Sequence, residues 1–209
     1  MNAFICIGGE IFPEGIWERP EKDDLVIAAD SGYRNAKALG VVPSLAVGDF
    51  DSMPEGELPS HIERLTVPVE KNFTDAQLAV DIALKRGCRF FTIVGGLSGR
   101  LDHTLSCLGI LESIHKKGGF AVITDGKNRA RFLKGTSELI PRSQFRYFSL
   151  IAADPVVKGV TIEGAKYPLK NATLRREHQF AVSNEVEGNC ALVSVRRGGI
   201  FLVESNDRN

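Results

Sequence analysis

Residues 90–124 have the sequence FFTIVGGLSGRLDHTLSCLGILESIHKKGGFAVIT. This stretch begins and ends with a short apolar run, Phe90–Val94 and Ala121–Thr124, and a glycine-rich turn and a helical pattern separate the two runs. The helical pattern carries a stripe of leucines and stops at Gly118-Gly119. The leucines of the stripe are Leu101, Leu105, Leu108 and Leu111. Strand, helix and strand in this order form a βαβ unit, which predicts neighbouring parallel strands.

The same alternation of strands and helices extends over residues 1–127. The other strands predicted in this part are Phe4–Ile7, Leu25–Ala29, Leu45–Val47 and Arg64–Val67. The predicted helices are Tyr33–Leu39, Thr74–Arg86 and Leu101–Lys117. The strand candidates are mainly apolar runs rather than alternating ones, as expected for parallel strands that are covered on both faces. The sequence therefore predicts an α/β domain with a doubly wound, mostly parallel sheet.

A capping box predicts the start of the second helix. Thr74 stands at the N-cap and Gln77 follows three residues later, which is the spacing of that motif. Leu78 and Ile82 are four residues apart, so we expect both side chains to face the sheet.

The pattern changes after Asp125-Gly126, and no helical stripe follows. The rest of the chain has short strand-like segments that are broken by turns. These segments are Ala130–Lys134, Arg146–Ala152, Gly159–Gly164, Gln179–Ser183, Cys190–Arg196 and Gly199–Val203. Short strands separated by turn signals indicate a small β-sandwich or barrel over residues 128–209.

The composition narrows the class of protein. The 26 Lys and Arg residues equal the 26 Asp and Glu residues, and this neutral balance argues against a nucleic-acid partner. No apolar run approaches the roughly 18 residues of a membrane span, and the chain enters a strand with no basic leader before it. We therefore expect a cytoplasmic protein with no membrane partner. The four cysteines form no C-x-x-C pair, and we expect structural roles for them, with Cys6 and Cys190 buried.

Four acidic side chains follow apolar runs in three short clusters. They are Asp49 and Asp51, then Asp75, then Asp102. Because strand ends converge at the carboxyl edge of an open α/β sheet, these carboxylates can meet there. Converging carboxylates repel one another unless a cation neutralises them, and oxygen ligands that leave room for phosphate suit Mg²⁺. The clusters favour a magnesium-dependent enzyme with a phosphorylated substrate. Two structural alternatives stay open: Asp49 and Asp51 could belong to a solvated turn, and Asp75 could simply stabilise the N-terminus of its helix through the helix dipole.

The glycine-rich turn Gly95–Gly99 lies between a strand and a helix. Such a turn lets backbone N–H groups approach a phosphate, and Arg100 could then bind phosphate oxygens through its planar guanidinium. The alternative is a loop that carries a surface ion pair between Arg100 and Asp102. His103 is a candidate general base, although a local hydrogen bond is the simpler explanation for it. Gly8-Gly9 after the first strand is similar to a nucleotide-binding turn, but it is also a common turn sequence.

Six motifs follow one another in a fixed order along the chain. Four lie in the first half: Ala29-Asp30-Ser31-Gly32, Pro43–Ser52 (PSLAVGDFDS), Glu70–Asp75 (EKNFTD) and Gly95–Thr104 (GGLSGRLDHT). The other two are Gly164–Leu169 (GAKYPL) and Val182–Glu185 (VSNE). Through these motifs the sequence resembles the thiamine pyrophosphokinase family over nearly its whole length.

The resemblance implies an N-terminal α/β kinase domain and a C-terminal β-sandwich that helps bind thiamine, in a homodimer with the acceptor site at the subunit interface. It implies transfer of a diphosphoryl group from ATP to the hydroxyl of thiamine, giving thiamine diphosphate and AMP. The implied Mg²⁺ ligands are Asp49, Asp51 and Asp75, and with Arg100 and Asp102 they form the implied catalytic set. The implied nucleotide-binding residues are Asp30, Ser31, Gly32, Thr74, Gly96, Arg100 and Asp102. Ser183 and Asn184 would contact thiamine, and Tyr167 or Phe180 could supply an aromatic wall for its cationic ring.

The chain departs from the pattern of this family in three places. Ser31 stands where glycine is usual, Asn72 stands where an acid is common, and Leu174–Glu177 lacks an aromatic that some members use for stacking. Three other functions stay open: a related diphosphokinase of another small alcohol such as a pterin, a haloacid-dehalogenase-like phosphatase with Asp49 as nucleophile, and a non-catalytic sensor. The phosphatase family has its Asp-x-Asp after the first strand rather than the third, and intact acids at every cluster argue against the sensor.

Overall fold

The computed structural model describes residues 1–48, 59–60, 62–66 and 74–207. By its internal contacts the chain divides into two units, Met1–Gly126 and Lys127–Asn209. They are called the N-terminal unit and the C-terminal unit below. None of the helices in the described ranges is long and apolar enough to cross a membrane.

Within residues 1–48, 59–60, 62–66 and 74–126, six parallel strands and three α-helices build the N-terminal unit. The strands are β1 (Asn2–Cys6), β2 (Leu25–Ala29), β3 (Leu45–Gly48), β4 (Glu63–Thr66), β5 (Phe90–Val94) and β6 (Phe120–Thr124). The helices are α1 (Gly32–Ala38), α2 (Asp75–Lys85) and α3 (Leu101–Lys116). Ile5 in β1 pairs with Ile27 in β2 and with Ile93 in β5, and all three side chains are buried. The predicted doubly wound, parallel sheet is therefore confirmed.

The order of the strands reverses direction at β1. The sheet of this unit runs β4-β3-β2-β1-β5-β6, so β2 to β4 lie on one side of β1 and β5 and β6 on the other. Such a reversal opens a crevice outside the carboxyl ends of the two strands that flank it, and open α/β sheets bind ligands there. The turns after β1 and β5 lie at this point.

Helix α2 begins where the capping box predicts. Thr74 Oγ1 accepts a hydrogen bond from the backbone N–H of Gln77 at 3.2 Å, and the helix starts at Asp75. Its buried residues are Ala79, Val80 and Ala83. Leu78 and Ile82 are only half-buried, so the helix is turned by about one position from the predicted face. Small side chains on the buried face let the helix backbone approach the sheet closely.

Helix α3 buries a different face from the predicted leucine stripe. Its buried residues are Cys107, Ile110, Leu111 and Ile114, so of the predicted stripe only Leu111 is fully buried. Leu101 and Leu105 are 71% and 59% exposed. The buried part of the helix starts at Cys107, and the leucines of the first turns lie outside it.

Over the described residues 127–207, seven antiparallel strands in two sheets build the C-terminal unit. They are β7 (Asn128–Lys134), β8 (Ser137–Pro141), β9 (Tyr147–Ala152), β10 (Val156–Glu163), β11 (Leu169–Arg175), β12 (Cys190–Arg197) and β13 (Gly199–Ser205). One sheet has the order β7-β13-β9 and the other has the order β11-β10-β12-β8. Alternate side chains of β9 and β12 are buried, as in strands with one face toward a core. The predicted all-β sandwich is confirmed.

Three details of this unit differ from the prediction. The strand predicted at Gln179–Ser183 is wrong, because that segment is irregular. Asn184, directly after it, pairs with Phe148 of β9 in an isolated bridge. Strands β8 and β11 were not predicted, and β11 is mostly exposed, so polar residues interrupt its apolar pattern. Cys6 is buried as expected, but Cys190 is exposed. Cys190 is the first residue of β12, where the alternation of the strand turns its side chain outward.

Candidate functional site

Within the part of the chain that the structure describes, three turns meet at the carboxyl edge of the parallel sheet. They follow β1 at Gly8-Gly9, β2 at Asp30–Gly32 and β5 at Gly95–Gly99. The Gly96 N–H donates to the carbonyl oxygen of Gly8 at 2.9 Å. A Cβ atom at Gly9 would lie 3.1 Å from the Gly96 nitrogen and 3.2 Å from Ser98 Oγ. The absence of side chains on these glycines is what lets the two turns approach so closely.

The turn after β2 packs against the turn after β1. Asp30 has a left-handed backbone, with φ of +48°. Gly32 is the first residue of α1, and a Cβ atom there would lie 2.1 Å from the carbonyl oxygen of Cys6. The Ser31 hydroxyl oxygen lies 2.5 Å from the position that a Cβ atom would take at Gly8. The serine therefore fills the space beside the β1 turn.

Arg100 and Asp102 form an ion pair at the start of α3. This is the surface ion pair that the sequence offered as the alternative to phosphate binding by Arg100. The guanidinium donates from Nε to Oδ1 at 3.1 Å and from Nη2 to Oδ2 at 2.6 Å. Asp102 Oδ1 also accepts from the backbone N–H of His103 at 3.0 Å. The hydrogen bond from Arg100 holds the pKa of Asp102 below its ordinary value, and the same bond raises the pKa of Arg100. Both side chains are exposed and charged at neutral pH, and Nη1 of Arg100 has no hydrogen bond among the described residues.

Asp75 is the only predicted metal ligand within the described residues, since Asp49 and Asp51 lie outside them. It occupies the first turn of α2, whose start is held by the Thr74 cap. Among residues 1–48, 59–60, 62–66 and 74–207, no three His, Cys, Asp or Glu side chains are grouped so as to hold a metal ion. The carboxylate oxygens of three aspartates would suit Mg²⁺, because this ion prefers hard oxygen ligands.

Ser183 exposes its side chain in the irregular segment before β12. Its backbone is left-handed, with φ of +54°, which is uncommon for a residue other than glycine. The Ser183 N–H donates to Ser149 Oγ at 3.0 Å. The Ser183 hydroxyl has no hydrogen-bond partner in the described part of the chain, so it is available to a ligand.

Asn184 is buried, and its side-chain amide holds the backbone of Tyr167. Oδ1 accepts from the N–H groups of Tyr167 and Glu185, both at 2.9 Å, and Nδ2 donates to the Tyr167 carbonyl oxygen at 2.8 Å. The Tyr167 ring is 58% exposed, with Lys166 Nζ 5.6 Å from its centroid. Phe180, the other candidate wall, is 46% exposed. Asn184 therefore positions Tyr167 and has little hydrogen-bonding capacity left for a ligand.

Two polar side chains at the glycine turns were not predicted from the sequence. Asn35 on α1 donates to the carbonyl oxygens of Ile7 at 2.7 Å and Gly9 at 2.9 Å. Ser98 Oγ donates to the Glu10 carbonyl oxygen at 3.0 Å. These bonds join residues that are 26 to 88 positions apart. No local pattern reveals such contacts, and the only available signal is a polar residue inside or just after a glycine motif.

Two family models match the chain, one in each half. Residues 17–123 match the model described as "Thiamin pyrophosphokinase, catalytic domain". Residues 136–200 match the model described as "Thiamin pyrophosphokinase, vitamin B1 binding domain". The first match alone spans just over half of the 209 residues.

Individual proteins with this family name are similar over almost the whole chain. The thiamine pyrophosphokinase of Bacillus subtilis (strain 168) is 29% identical over 193 residues, which are 90% of each chain. The crystal structure of the thiamine pyrophosphokinase from Bacillus subtilis has a TM-score of 0.87 at 25% identity and covers 99% of this chain and 100% of that one. The crystal structure of the thiamin pyrophosphokinase from Geobacillus thermodenitrificans has a TM-score of 0.86 at 24% identity, over 100% and 99% of the two chains. These structures share the fold of both units.

Proposed function

Because the chain belongs to the thiamine pyrophosphokinase family, we propose that it transfers a diphosphoryl group from ATP to the hydroxyl of thiamine, giving thiamine diphosphate and AMP. The observation that carries the proposal is the match of both domain models, in order, to a chain that keeps its acidic motifs. The comparisons do not support the pterin diphosphokinase or the phosphatase.

We assign the nucleotide to the N-terminal domain, residues 1–127, and thiamine to the C-terminal domain, residues 128–209. The first assignment is supported by the crevice at the reversal of strand order, which three glycine-containing turns line. The second is supported by the vitamin B1 binding model, which matches residues 136–200.

In the nucleotide site, Asp30, Ser31, Gly32, Thr74 and Gly96 would line the cleft, and Arg100 and Asp102 would act at the phosphates. Glycine turns leave backbone N–H groups accessible to phosphate oxygens. The two hydrogen bonds that Arg100 donates to Asp102 hold its guanidinium in place before the nucleotide arrives, which lowers the entropy lost on binding. Nη1 can then meet a phosphate oxygen while the pair stays intact.

Asp49, Asp51 and Asp75 would hold Mg²⁺, and the bound ion would offset the negative charge of the phosphates. Transfer of a phosphoryl group depends on in-line positioning and charge neutralisation more than on covalent help from the protein. The chain therefore needs to align the thiamine hydroxyl with the β-phosphorus and to hold the departing AMP. The Thr74 cap contributes by fixing the first turn of α2, which carries Asp75.

For thiamine, the exposed Ser183 hydroxyl would supply a hydrogen bond and the exposed Tyr167 ring a face for the quaternary thiazolium. Asn184 would act through its hold on the Tyr167 backbone. We propose a homodimer with the acceptor site at the subunit interface, which light scattering of the purified protein would test. We expect the reaction to take place in the cytoplasm. The four cysteines of this chain are free thiols, and the cytoplasm is a compartment that keeps thiols reduced.

An acceptor screen tests the function. The protein is incubated with ATP and Mg²⁺ and with thiamine, a hydroxymethyl pterin or no acceptor, and AMP and inorganic phosphate are measured. We expect AMP only with thiamine. AMP formed preferentially with the pterin would support the related diphosphokinase, and phosphate without AMP would support the phosphatase.

A further inference from the structure

The side chain of Asn35 joins a helix to a turn at the nucleotide crevice. Its Nδ2 group carries two hydrogens and donates both, to the carbonyl oxygen of Ile7 at 2.7 Å and to that of Gly9 at 2.9 Å. These two carbonyls lie on either side of Gly8, so Asn35 fixes the path of the chain through the turn after β1. Asn35 lies outside the six motifs, three residues after Ala29–Gly32.

The turn that Asn35 holds is itself bonded to the turn after β5. The Gly8 carbonyl oxygen accepts from the Gly96 N–H at 2.9 Å. A Cβ atom at Gly95 would lie 2.5 Å from the Ile7 carbonyl oxygen and 3.2 Å from Asn35 Nδ2. The amide of Asn35 therefore lies where the turns after β1 and β5 meet, and Arg100 follows directly from the second of them.

We propose that Asn35 is a positioning residue for the nucleotide: it holds the Gly8-Gly9 turn, and through it the Gly95–Gly99 turn, in the conformation that receives the phosphates. Asn35 does not itself contact the nucleotide in this role, since both of its amide hydrogens are already donated. The role rests on the proposed function only in that the ligand is ATP.

Two substitutions of Asn35 test whether the turn needs a hydrogen-bond donor at this position. Asn35→Asp keeps the shape of the side chain but replaces a donor by a carboxylate, which repels the two carbonyl oxygens. Asn35→Ala removes both hydrogen bonds without adding repulsion, and water can reach the exposed Gly9 carbonyl. The isosteric change should therefore be more harmful than the truncation.

The test measures the dissociation constant of a non-hydrolysable ATP analogue by calorimetry, together with the KM values for ATP and thiamine. We expect Asn35→Asp to weaken nucleotide binding about tenfold or more and Asn35→Ala about threefold, with the thiamine KM nearly unchanged. The control is Asn171→Asp in the C-terminal unit, where Oδ1 accepts from Arg196 Nη2 at 3.2 Å. A carboxylate keeps that acceptor, so nucleotide binding should not change.

The outcomes distinguish this proposal from the proposed function. If the wild type binds the analogue but makes no AMP from thiamine, the proposed function fails, and the binding series still decides the role of Asn35. Variants that lose thermal stability but bind the analogue as tightly as the wild type would overturn the positioning role. If Asn35→Asp does not fold, unchanged nucleotide binding by Asn35→Ala would overturn it as well.

Discussion

Gly32 is where α1 approaches β1 most closely, and its replacement by alanine tests the packing beneath the nucleotide crevice. A Cβ atom at this position would lie 2.1 Å from the Cys6 carbonyl oxygen and 2.7 Å from Ile7 Cα. Both distances are shorter than the 3.0 Å that Cβ atoms keep from other atoms. The neighbours are backbone atoms at a buried strand end, so α1 must move by about 1 Å to relieve the contact.

We expect Gly32→Ala to lower the free energy of unfolding by about 1–3 kcal/mol, the usual cost of overpacking a close-packed core. The displaced helix begins just after Asp30 and Ser31 and carries Asn35, so kcat/KM for ATP should also fall. A displacement of this size can reduce the rate by up to ~10²-fold. Urea unfolding followed by circular dichroism measures the first effect, and initial rates with ATP as the varied substrate measure the second.

Gly109 in the middle of α3 is the matched control. Among the described residues, a Cβ atom there would meet no heavy atom within 4 Å, apart from its chain neighbours and the nearby backbone of its own helix. Alanine is preferred over glycine inside a helix by about 1 kcal/mol, so Gly109→Ala should stabilise the protein and leave the rates unchanged. Equal shifts of the unfolding midpoint in the two variants would refute the close approach of α1 to β1.

Three further substitutions test the proposed site. Asp75→Asn should lower turnover at least ~10²-fold, whereas the control Asp81→Asn on the same helix should leave turnover unchanged. If Asp75→Asn keeps the wild-type turnover at saturating Mg²⁺, Asp75 is not a metal ligand. Arg100→Lys loses the planar fork and should raise the KM for ATP about tenfold. The control Arg86→Lys alters another exposed ion pair and should leave that KM unchanged, and equal KM values for the two variants would exclude Arg100. Ser183→Gly removes the hydroxyl, so the thiamine KM should rise about tenfold; because glycine accepts the left-handed backbone of this position, the thermal midpoint should not fall. An unaltered thiamine KM would mean that Ser183 is only a turn residue.

The central sheet was predictable because burial on both faces leaves continuous apolar runs in the sequence, as in β1 and β2. An edge strand such as β11 carries no such signal, because most of its side chains are exposed. The leucine period identified α3 as a helix but could not show which of its faces is buried. The buried side chains Cys107, Ile110 and Ile114 lie on a neighbouring face. Leu101 and Leu105 of the stripe are exposed.

The candidate site was predictable to the extent that its residues follow strands. Asp30 and the Gly95–Gly99 turn do lie at the carboxyl edge, as the positions of β2 and β5 require. The bonds of Asn35, the buried amide of Asn184 and the left-handed backbone of Ser183 depend on distant parts of the chain, which no local pattern records. The meeting of Asp49 and Asp51 with Asp75 stays a prediction, since the first two lie outside the described residues.

The most direct measurement of the proposed reaction is phosphorus NMR of the products formed from ATP, Mg²⁺ and thiamine. Attack of the thiamine hydroxyl on the β-phosphorus moves two phosphoryl groups together, so AMP and thiamine diphosphate should appear in equal amounts from the first turnover. Formation of ADP with thiamine monophosphate, or of inorganic phosphate without AMP, would contradict the account.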